Sequence, residues 1–322
     1  MQNRDTYLSS FVGKEEAGME IGPSYNPIFP KTDGWNVKTL DYLDKQGLID
    51  KYGTKGEDVD RIEDVDYIVE GSSFASSVPE KQKGQFGFIA LSHALEHLVD
   101  IIRFFKDCQE VLHEKGQVLI AIPDKRFSFD FFRPITTTGD VLRSYWANDK
   151  VHPADVLYDS SNLICTNNGH SEWVVDHEIS SFDFHYPDPR REWAELSETR
   201  AKAVSPPEYI DMHRWVFTPS SFLFLMRDLL EIGAIEFEVT DVNVGEGPNI
   251  FACMKRVPDP IPFPQEDRRH LQYAMRLEDK LCQEFLETSP EYKQFLLGRG
   301  VDQRTAKLSD LALRELEYRS KL

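Results

Sequence analysis

Residues 86–124, FGFIALSHALEHLVDIIRFFKDCQEVLHEKGQVLIAIPD, enclose one helical pattern between two short apolar runs. FGFIAL (86–91) and QVLIAIPD (117–124) are apolar at nearly every position, as strands buried on both faces are. Between them Ile101, Phe104, Phe105, Cys108, Val111 and Leu112 form an apolar stripe at helical spacing. Asp100 stands as its N-cap and Gly116 as its C′ glycine. A strand, a helix and a strand in that order close as a right-handed crossover in a parallel sheet. The chain is thereby committed to an α/β fold.

Earlier runs, AGMEIG (17–22), NVKTLD (36–41) and VDYIVEG (65–71), also read as buried strands ending in polar or turn residues. Later, TPSSFLFLMRDLLEIG (218–233) carries Pro219 at a helix start and Gly233 at its end. AIEFEVTDVNV and IFACMKR flank a Gly/Pro turn and read as a terminal antiparallel hairpin. The stretch from Lys125 to Trp215 lacks clear periodicity but is rich in aromatic and histidine residues, so it reads as a folded insertion, not a linker. The charged helical tail after Pro264 packs on the domain, pairs with a second copy, or leads into a further module.

A formal net charge of −18 provides no basic surface for a phosphate backbone and argues against a nucleic-acid substrate, though it leaves room for a local basic pocket. No apolar run approaches the ~20 residues of a membrane span, and MQNRDTYLSSF lacks the apolar core of a signal peptide. Cys108, Cys165, Cys253 and Cys282 are far apart with no C-x-x-C, which fits a reducing cytoplasm and no zinc knuckle.

Two features carry chemistry. Gly22 ends the first strand, where a missing Cβ admits a ligand close to the backbone, and Asp41 ends the second, where a carboxylate can hold a ribose diol. His93-x-x-Glu96-His97 has the spacing by which one helix face presents two metal ligands beside a carboxylate, as in zinc peptidases. Here His93 follows directly on a buried strand and the next helix has its own cap at Asp100. The pair therefore falls in a loop or short turn at the strand's carboxyl edge, where open α/β sheets bind ligands.

The stretch 86–124 resembles, position after position, the class I S-adenosylmethionine-dependent methyltransferases: a strand and a small residue, x-x-LEH, an acidic helix start, x-VL-x-x-GG and a strand ending in P-[DN]. Glu20-x-Gly22 is similar to that family's first motif and Asp41 to its ribose-binding acid. The motif's second and third glycines are here Ser24 and Asn26, both small, while Pro23 and Pro27 stiffen the loop and delay the following helix. DKRFSFDFFRP (124–134) and DMHRWVFTPSSF (211–222) resemble a bacterial subgroup linked to surface-glycan gene clusters, including O-antigen and lipopolysaccharide. The resemblance covers roughly residues 15–256.

It implies a Rossmann-like, mostly parallel seven-stranded sheet with a terminal antiparallel hairpin, an insertion or lid, and a C-terminal helical extension. Residues 1–124 would be the cofactor-binding half of the core, 125–215 an insertion forming the acceptor lid, 216–257 the last helix and hairpin, and 258–322 the extension. The implied function is a cytoplasmic enzyme that O-methylates a sugar or glycan hydroxyl in surface polysaccharide biosynthesis. The alternatives are methylation of another small metabolite and a non-catalytic binding or scaffold module.

The resemblance places Glu20 and Gly22 at the methionine end of S-adenosylmethionine and Asp41 at its ribose. Glu70, Gly71 and Phe74 border the adenine, Leu91 and Ser92 lie under the sulfonium, and Pro23, Ser24, Tyr42 and His97 complete the cofactor set. Transfer from a sulfonium needs mainly positioning, and a hydroxyl acceptor also needs a base. His93 is the first candidate, His213 the second, and Asp124 a candidate for orienting the hydroxyl. The other readings make His93 a support for its loop, His97 a ring bonded to nearby backbone, and Asp124 a turn cap. Glu96 touches the cofactor's amino-acid end or caps the loop.

Lys125, Arg126 and Arg133 either hold an anionic group of the acceptor or pair with Asp124 and Asp130. His170, Asp176, His177, Glu178 and His185 match no metal-ligand spacing, and no metal is expected. With Trp173, Phe182, Tyr186 and Trp215 they are expected to line an acceptor pocket. Expected partners are that sugar acceptor and, through the C-terminal helices, a second copy or an adjoining domain.

Overall fold

The computed structural model describes residues 3–69, 71, 73–174, 182–184, 190, 194, 197, 210–244, 247–258 and 262–288. Five strands, β1 (Gly18–Ile21), β2 (Val37–Asp41), β3 (Tyr67–Ile68), β4 (Phe86–Ser92) and β5 (Leu112–Pro123), run parallel. β6 (Cys165–Asn167) and β7 (Phe182–Phe184) form a separate antiparallel pair in the insertion. β8 (Phe237–Val244) and β9 (Asn249–Arg256) complete the main sheet as an antiparallel hairpin, in the order β3-β2-β1-β4-β5-β9-β8. The fold is thus α/β and Rossmann-like.

Each central strand divides its side chains between two cores. Ile89 and Leu91 of β4, with Val118, Ile120 and Ile122 of β5, join one; Phe88, Ala90, Leu119 and Ala121 join the other. Because both faces are apolar, the alternation of a strand is hidden in a continuous hydrophobic run. The described α-helices are α1 (Arg4–Ser9), α2 (Lys45–Gly53), α3 (Ile101–Val111), α4 (Thr138–Ala147), α5 (Ala154–Leu163), α6 (Pro219–Glu231) and α7 (Gln265–Thr288). α1 contributes Tyr7 and Leu8 to the second core, whereas α3 and α6 close the first.

Local signals explain the helix ends. Asp100 caps α3 by accepting the Arg103 N–H at 3.0 Å, and α6 opens with a capping box of Thr218 and Ser221 around Pro219. Gly233, at φ 71°, follows α6 in the left-handed region. Gly116 is a correction. α3 stops at Val111 because Leu112 turns extended and pairs with Phe86, so Gly116 lies inside β5 and caps nothing. Between β1 and β2, residues 22–36 hold only a 3-10 turn at Lys31–Asp33, so no α-helix follows the first strand.

The insertion has a small core of its own, made of Phe127, Phe131, Cys165, Trp173 and Phe182. Trp173 and Phe182 are therefore packing residues, not walls of an acceptor pocket. Trp215 is likewise buried, with its indole N–H donating to the Leu98 carbonyl at 2.6 Å. The tail docks through α7: Ser220 Oγ donates to Glu278 Oε1 at 2.7 Å, and Arg268 pairs with Asp228 at 2.6 Å and Glu231 at 2.7 Å. No described helix is long and apolar enough to cross a membrane, and the four cysteines are free thiols.

Gly18 pairs with Phe88 across β1 and β4, and a Cβ added to it would sit 2.1 Å from the buried Phe88 ring. Overpacking of this kind costs about 1–3 kcal/mol. Gly18→Ala should lower stability in urea by that amount, and adding Phe88→Leu should recover part of it. A Gly18→Ala variant as stable as wild type would contradict this packing.

Candidate functional site

The carboxyl ends of β2, β1 and β4 lie side by side, and the sheet order reverses between β1 and β4. Open α/β sheets bind ligands at such a reversal because the connections diverge there and leave a crevice. Gly22, at φ 64°, turns the chain out of β1 in a conformation that disfavours a side chain. A Cβ on Gly22 would stand 3.7 Å from the Ala94 methyl, which places the loop after β1 beside the loop after β4. Ser24 is also left-handed, at φ 47°, and its Oγ is buried without a hydrogen-bond partner among the described residues. Pro23 begins this turn, its carbonyl accepting the Asn26 N–H at 2.9 Å.

Glu20 shapes the loop from below. Its two carboxylate oxygens accept the N–H groups of Ile28 at 2.7 Å and Phe29 at 3.1 Å, so they are committed within the fold instead of facing a methionine moiety. Burial pushes its carboxyl up to about 7, against the pull of those two N–H groups. Arg4 crosses the rim above: it donates to Ser92 Oγ at 3.2 Å and to the Asn26 carbonyl at 3.1 Å. This guanidinium joins the ends of β1 and β4.

Asp41 is buried at the end of β2, and burial raises its carboxyl to about 6, opposed by the Tyr42 N–H and the Lys51 charge. Tyr42 is half exposed beside it, with the Lys51 ammonium 4.9 Å from the ring centroid. Gly71 follows β3 at φ 85°. Phe74 is buried against Phe104 with centroids 5.7 Å apart, and Leu91 points into the same core, so of the two residues expected beneath a sulfonium only Ser92 reaches the rim. Glu70 lies outside the described residues.

His93 leaves β4 at φ 50°, a strained conformation for a non-glycine residue that costs on the order of 1–3 kcal/mol. Its N–H donates to the Ala121 carbonyl at 2.9 Å, and its side chain is 35% exposed. Leu95–His97 then form a 3-10 turn, not the long helix of a zinc peptidase. The segment 211–216 docks onto this turn: the Arg214 and Trp215 N–H groups both donate to the Glu96 carbonyl, at 2.7 and 3.1 Å. Arg214 also donates to the Val99 carbonyl at 2.8 Å and to Asp149 at 2.7 Å.

That docking brings His213 beside His97, their rings edge to face at 4.6 Å. His213 is buried, with Nδ1 2.6 Å from Asp130 Oδ2. Burial opposes charging its ring, but the hydrogen bond and charge of Asp130 outweigh this and hold His213 above its usual value. His97 faces a carboxylate: its Nδ1 lies 2.9 Å from Asp211 Oδ1. Asp211 in turn pairs with Lys51 at 2.9 Å, and its hydrogen bond from His97 holds its carboxyl well below the usual range.

Asp124 is fully buried and gripped by Arg126, whose Nη2 and Nε lie 2.5 and 3.0 Å from its oxygens, and it caps the next turn through the Arg126 N–H at 3.0 Å. It has no free face for an acceptor hydroxyl. Arg133 pairs with Asp130 at 2.7 Å and Lys125 donates to the Arg133 carbonyl at 2.5 Å, so this basic cluster serves the fold in place of an anionic ligand. His170 is exposed on a turn with Asn167, while Asp176, His177, Glu178, His185 and Tyr186 lie outside the described residues. The links of Arg4 to Ser92, Asp130 to His213 and Asp211 to His97 emerge from the structure alone, since each joins residues 80 or more positions apart or across the insertion.

No protein-family model matches the chain, and no curated protein matches it in sequence. Among solved structures it is similar to a SAM-dependent methyltransferase from Aquifex aeolicus, at 12% identity over 79% of this chain and 89% of that one, with a TM-score of 0.37. It is similar too to the 1,6-didemethyltoxoflavin-N1-methyltransferase of Burkholderia thailandensis, solved with 1,6-didemethyltoxoflavin and S-adenosylhomocysteine: 10% identity, 79% and 76% coverage, TM-score 0.38. A Rhodobacter sphaeroides protein that carries the name of Zn-dependent alcohol dehydrogenases matches with 12% identity, 79% and 88% coverage and a TM-score of 0.40. At these values the likeness assigns neither a donor nor an acceptor.

Asp41 makes the rim testable without a ligand. Its carboxyl titrates near 6 in the fold against an ordinary value of 3.8, so the folded chain holds the extra proton between those values. The stabilising contribution is complete below about pH 4 and is lost as pH rises through about 6. Asp41→Asn does not titrate, so its stability relative to wild type should improve from pH 4 to pH 7 by on the order of 2 kcal/mol in urea unfolding. A difference that does not change with pH would contradict the burial of this carboxyl.

Proposed function

We propose that this chain is a class I S-adenosylmethionine-dependent methyltransferase that O-methylates a sugar or glycan hydroxyl in surface polysaccharide biosynthesis. The observation that carries the donor is the convergence of left-handed Gly22, buried Asp41 and Ser92 on three neighbouring strand ends at the sheet's reversal point. The residues fit that cofactor. Asp41 offers a carboxylate to a ribose diol, Ser24 has a buried hydroxyl with no hydrogen-bond partner among the described residues, and Gly22 leaves room for close backbone approach. Arg4, fixed between Ser92 and Asn26, is placed to meet the carboxylate of the methionine moiety.

When bound, S-adenosylmethionine supplies an electrophilic sulfonium methyl, and its transfer to the acceptor oxygen leaves S-adenosylhomocysteine. The chain's part is to hold the acceptor in line and to take its proton. His93 is the base on this reading, because it stands one residue beyond Ser92 and keeps part of its ring open. His213 is buried against Asp130 and faces Glu96, which suits a positioning role. The acceptor class is supported by the resemblance of residues 124–134 and 211–222. These stretches bond to each other, through His213 with Asp130 and Lys125 N–H with the Phe217 carbonyl at 2.9 Å, and so build one wall beside the rim.

One observation favours a non-catalytic scaffold as the second reading: no α-helix follows β1, so no helix N-terminus faces the crevice there.

Calorimetric titration with S-adenosylmethionine separates the two. Wild type should bind, Asp41→Asn should bind about 10- to 100-fold more weakly through loss of a charge-assisted hydrogen bond, and wild-type affinity should fall as pH drops through about 6. No heat from wild type would leave the scaffold. Labelled methyl transfer to nucleotide sugars and short glycans tests the acceptor, and His93→Ala should cost about 100-fold or more in turnover. Undiminished turnover would remove His93 as base.

A further inference from the structure

Glu96 stands out among the buried acids of the described residues. Its side chain is 1% exposed, yet neither carboxylate oxygen has a hydrogen-bond partner among the described residues. A buried carboxylate left in that state is costly unless something else meets it. Three imidazole nitrogens surround one of its oxygens: His93 Nδ1 at 3.6 Å, His213 Nε2 at 3.9 Å and His97 Nε2 at 4.0 Å from Glu96 Oε1. These separations exceed a hydrogen bond.

Two of these rings have a carboxylate beside their outer nitrogen. His213 Nδ1 lies 2.6 Å from Asp130 and His97 Nδ1 lies 2.9 Å from Asp211. The hydrogen bond between His213 Nδ1 and Asp130 leaves the His213 Nε2 lone pair directed inward, the second shell typical of metal-bound histidine, and Asp211 stands as an ion-pair partner beside His97 Nδ1. Asp130 is steadied by Arg133 at 2.7 Å and Asp211 by Lys51 at 2.9 Å. One ligand atom each from Glu96, His97 and His213 all lie within 4.8 Å of one another. A first-row divalent ion holds such donors at about 2.0–2.2 Å, which places neighbouring donors roughly 3–3.5 Å apart, so the three need draw in by only about one ångström.

We propose that Glu96, His97 and His213 form a binding site for a first-row divalent cation. Two imidazoles and one carboxylate suit manganese, iron, cobalt, nickel or zinc better than magnesium or calcium, which take oxygen ligands. The sequence expectation of no metal is replaced by this reading, and the geometry is unlike a peptidase, since Glu96 is a ligand and the two His of the motif do not share one long helix. His93, on the more exposed side, leaves open positions toward the rim.

The site itself stands on these contacts alone. Its role rests on the methyltransferase reading. A cation just beyond Ser92 would bind the acceptor hydroxyl oxygen, lower its pKa and set it in line, while His93 takes the proton. His213 is then a ligand and no longer a base candidate.

The test is titration of the chelator-stripped full chain with Co²⁺, read by its visible ligand-field absorption, alongside calorimetry with Mn²⁺ and Zn²⁺. Wild type should take up one ion with a spectrum of mixed nitrogen and oxygen ligation. Glu96→Gln and His97→Asn should weaken uptake at least ~10-fold, and so should Asp211→Asn from the second shell. Circular dichroism checks folding; if Glu96→Gln fails to fold, the half-exposed His97→Asn decides. No ligand-field bands in wild type at millimolar Co²⁺, or equal uptake by wild type and a folded His97→Asn, overturns the site. S-adenosylmethionine affinity, measured on the same stripped protein, is independent of that result. Donor binding without cobalt uptake removes the cation and keeps the enzyme; uptake without donor binding does the reverse.

Discussion

The parallel pairing of β1 with β4 is the constraint from which the rest of the molecule follows. Gly18 through Ile21 lie against Phe88 through Leu91, and both strands are buried on both sides. Parallel strands send their carboxyl ends to the same edge, and at this pair the sheet order reverses, so the loops after them part and leave a crevice. Gly22, Ser92, His93 and the turn holding Glu96 and His97 all belong to those two loops. Pairing with β2 adds Asp41 to the same edge. A site assembled in this way is placed by strands buried on both faces, which is the support that precise chemistry requires.

That support allows costs elsewhere. His93 holds a left-handed backbone, Asp41 and Glu20 are buried with raised carboxyl values, and the Glu96 carboxylate is buried with no hydrogen bond among the described residues. Each is individually unfavourable by amounts comparable to a sizeable share of a domain's net stability. They cluster along one edge, whereas the charges of the insertion, Asp124 with Arg126 and Asp130 with Arg133, are closely paired. A left-handed histidine, buried carboxyls and an unmet buried acid along one sheet edge fit a preorganised site.

Much of this was legible in the sequence wherever the signal is local. Buried strands announce themselves as short apolar runs, and Asp100, Pro219 and Gly233 mark helix ends. Gly22, Asp41 and Ser92 are readable because a strand end is a local address. Gly116 was misread because the capture of Leu112 by Phe86 is a tertiary event that outweighs a glycine's preference. Trp173, Phe182 and Trp215 were expected in a pocket because an aromatic side chain gives no sign of whether it faces a ligand or a core. Asp124 was a candidate until Arg126, two residues on, proved to grip it. Most opaque were His213 with Asp130, His97 with Asp211 and Arg4 with Ser92. Contacts across such separations leave no periodicity to read.

The central claim is that the β1/β4 crevice holds an adenosyl sulfonium donor, and a crystal structure of the chain with S-adenosylhomocysteine addresses it most directly. The ribose is predicted within hydrogen-bonding reach of Asp41, the sulfur near Ser92, and the amino-acid carboxylate at Arg4. A crevice left vacant at saturating ligand, or an adenosine bound away from the ends of β1, β2 and β4, would contradict it.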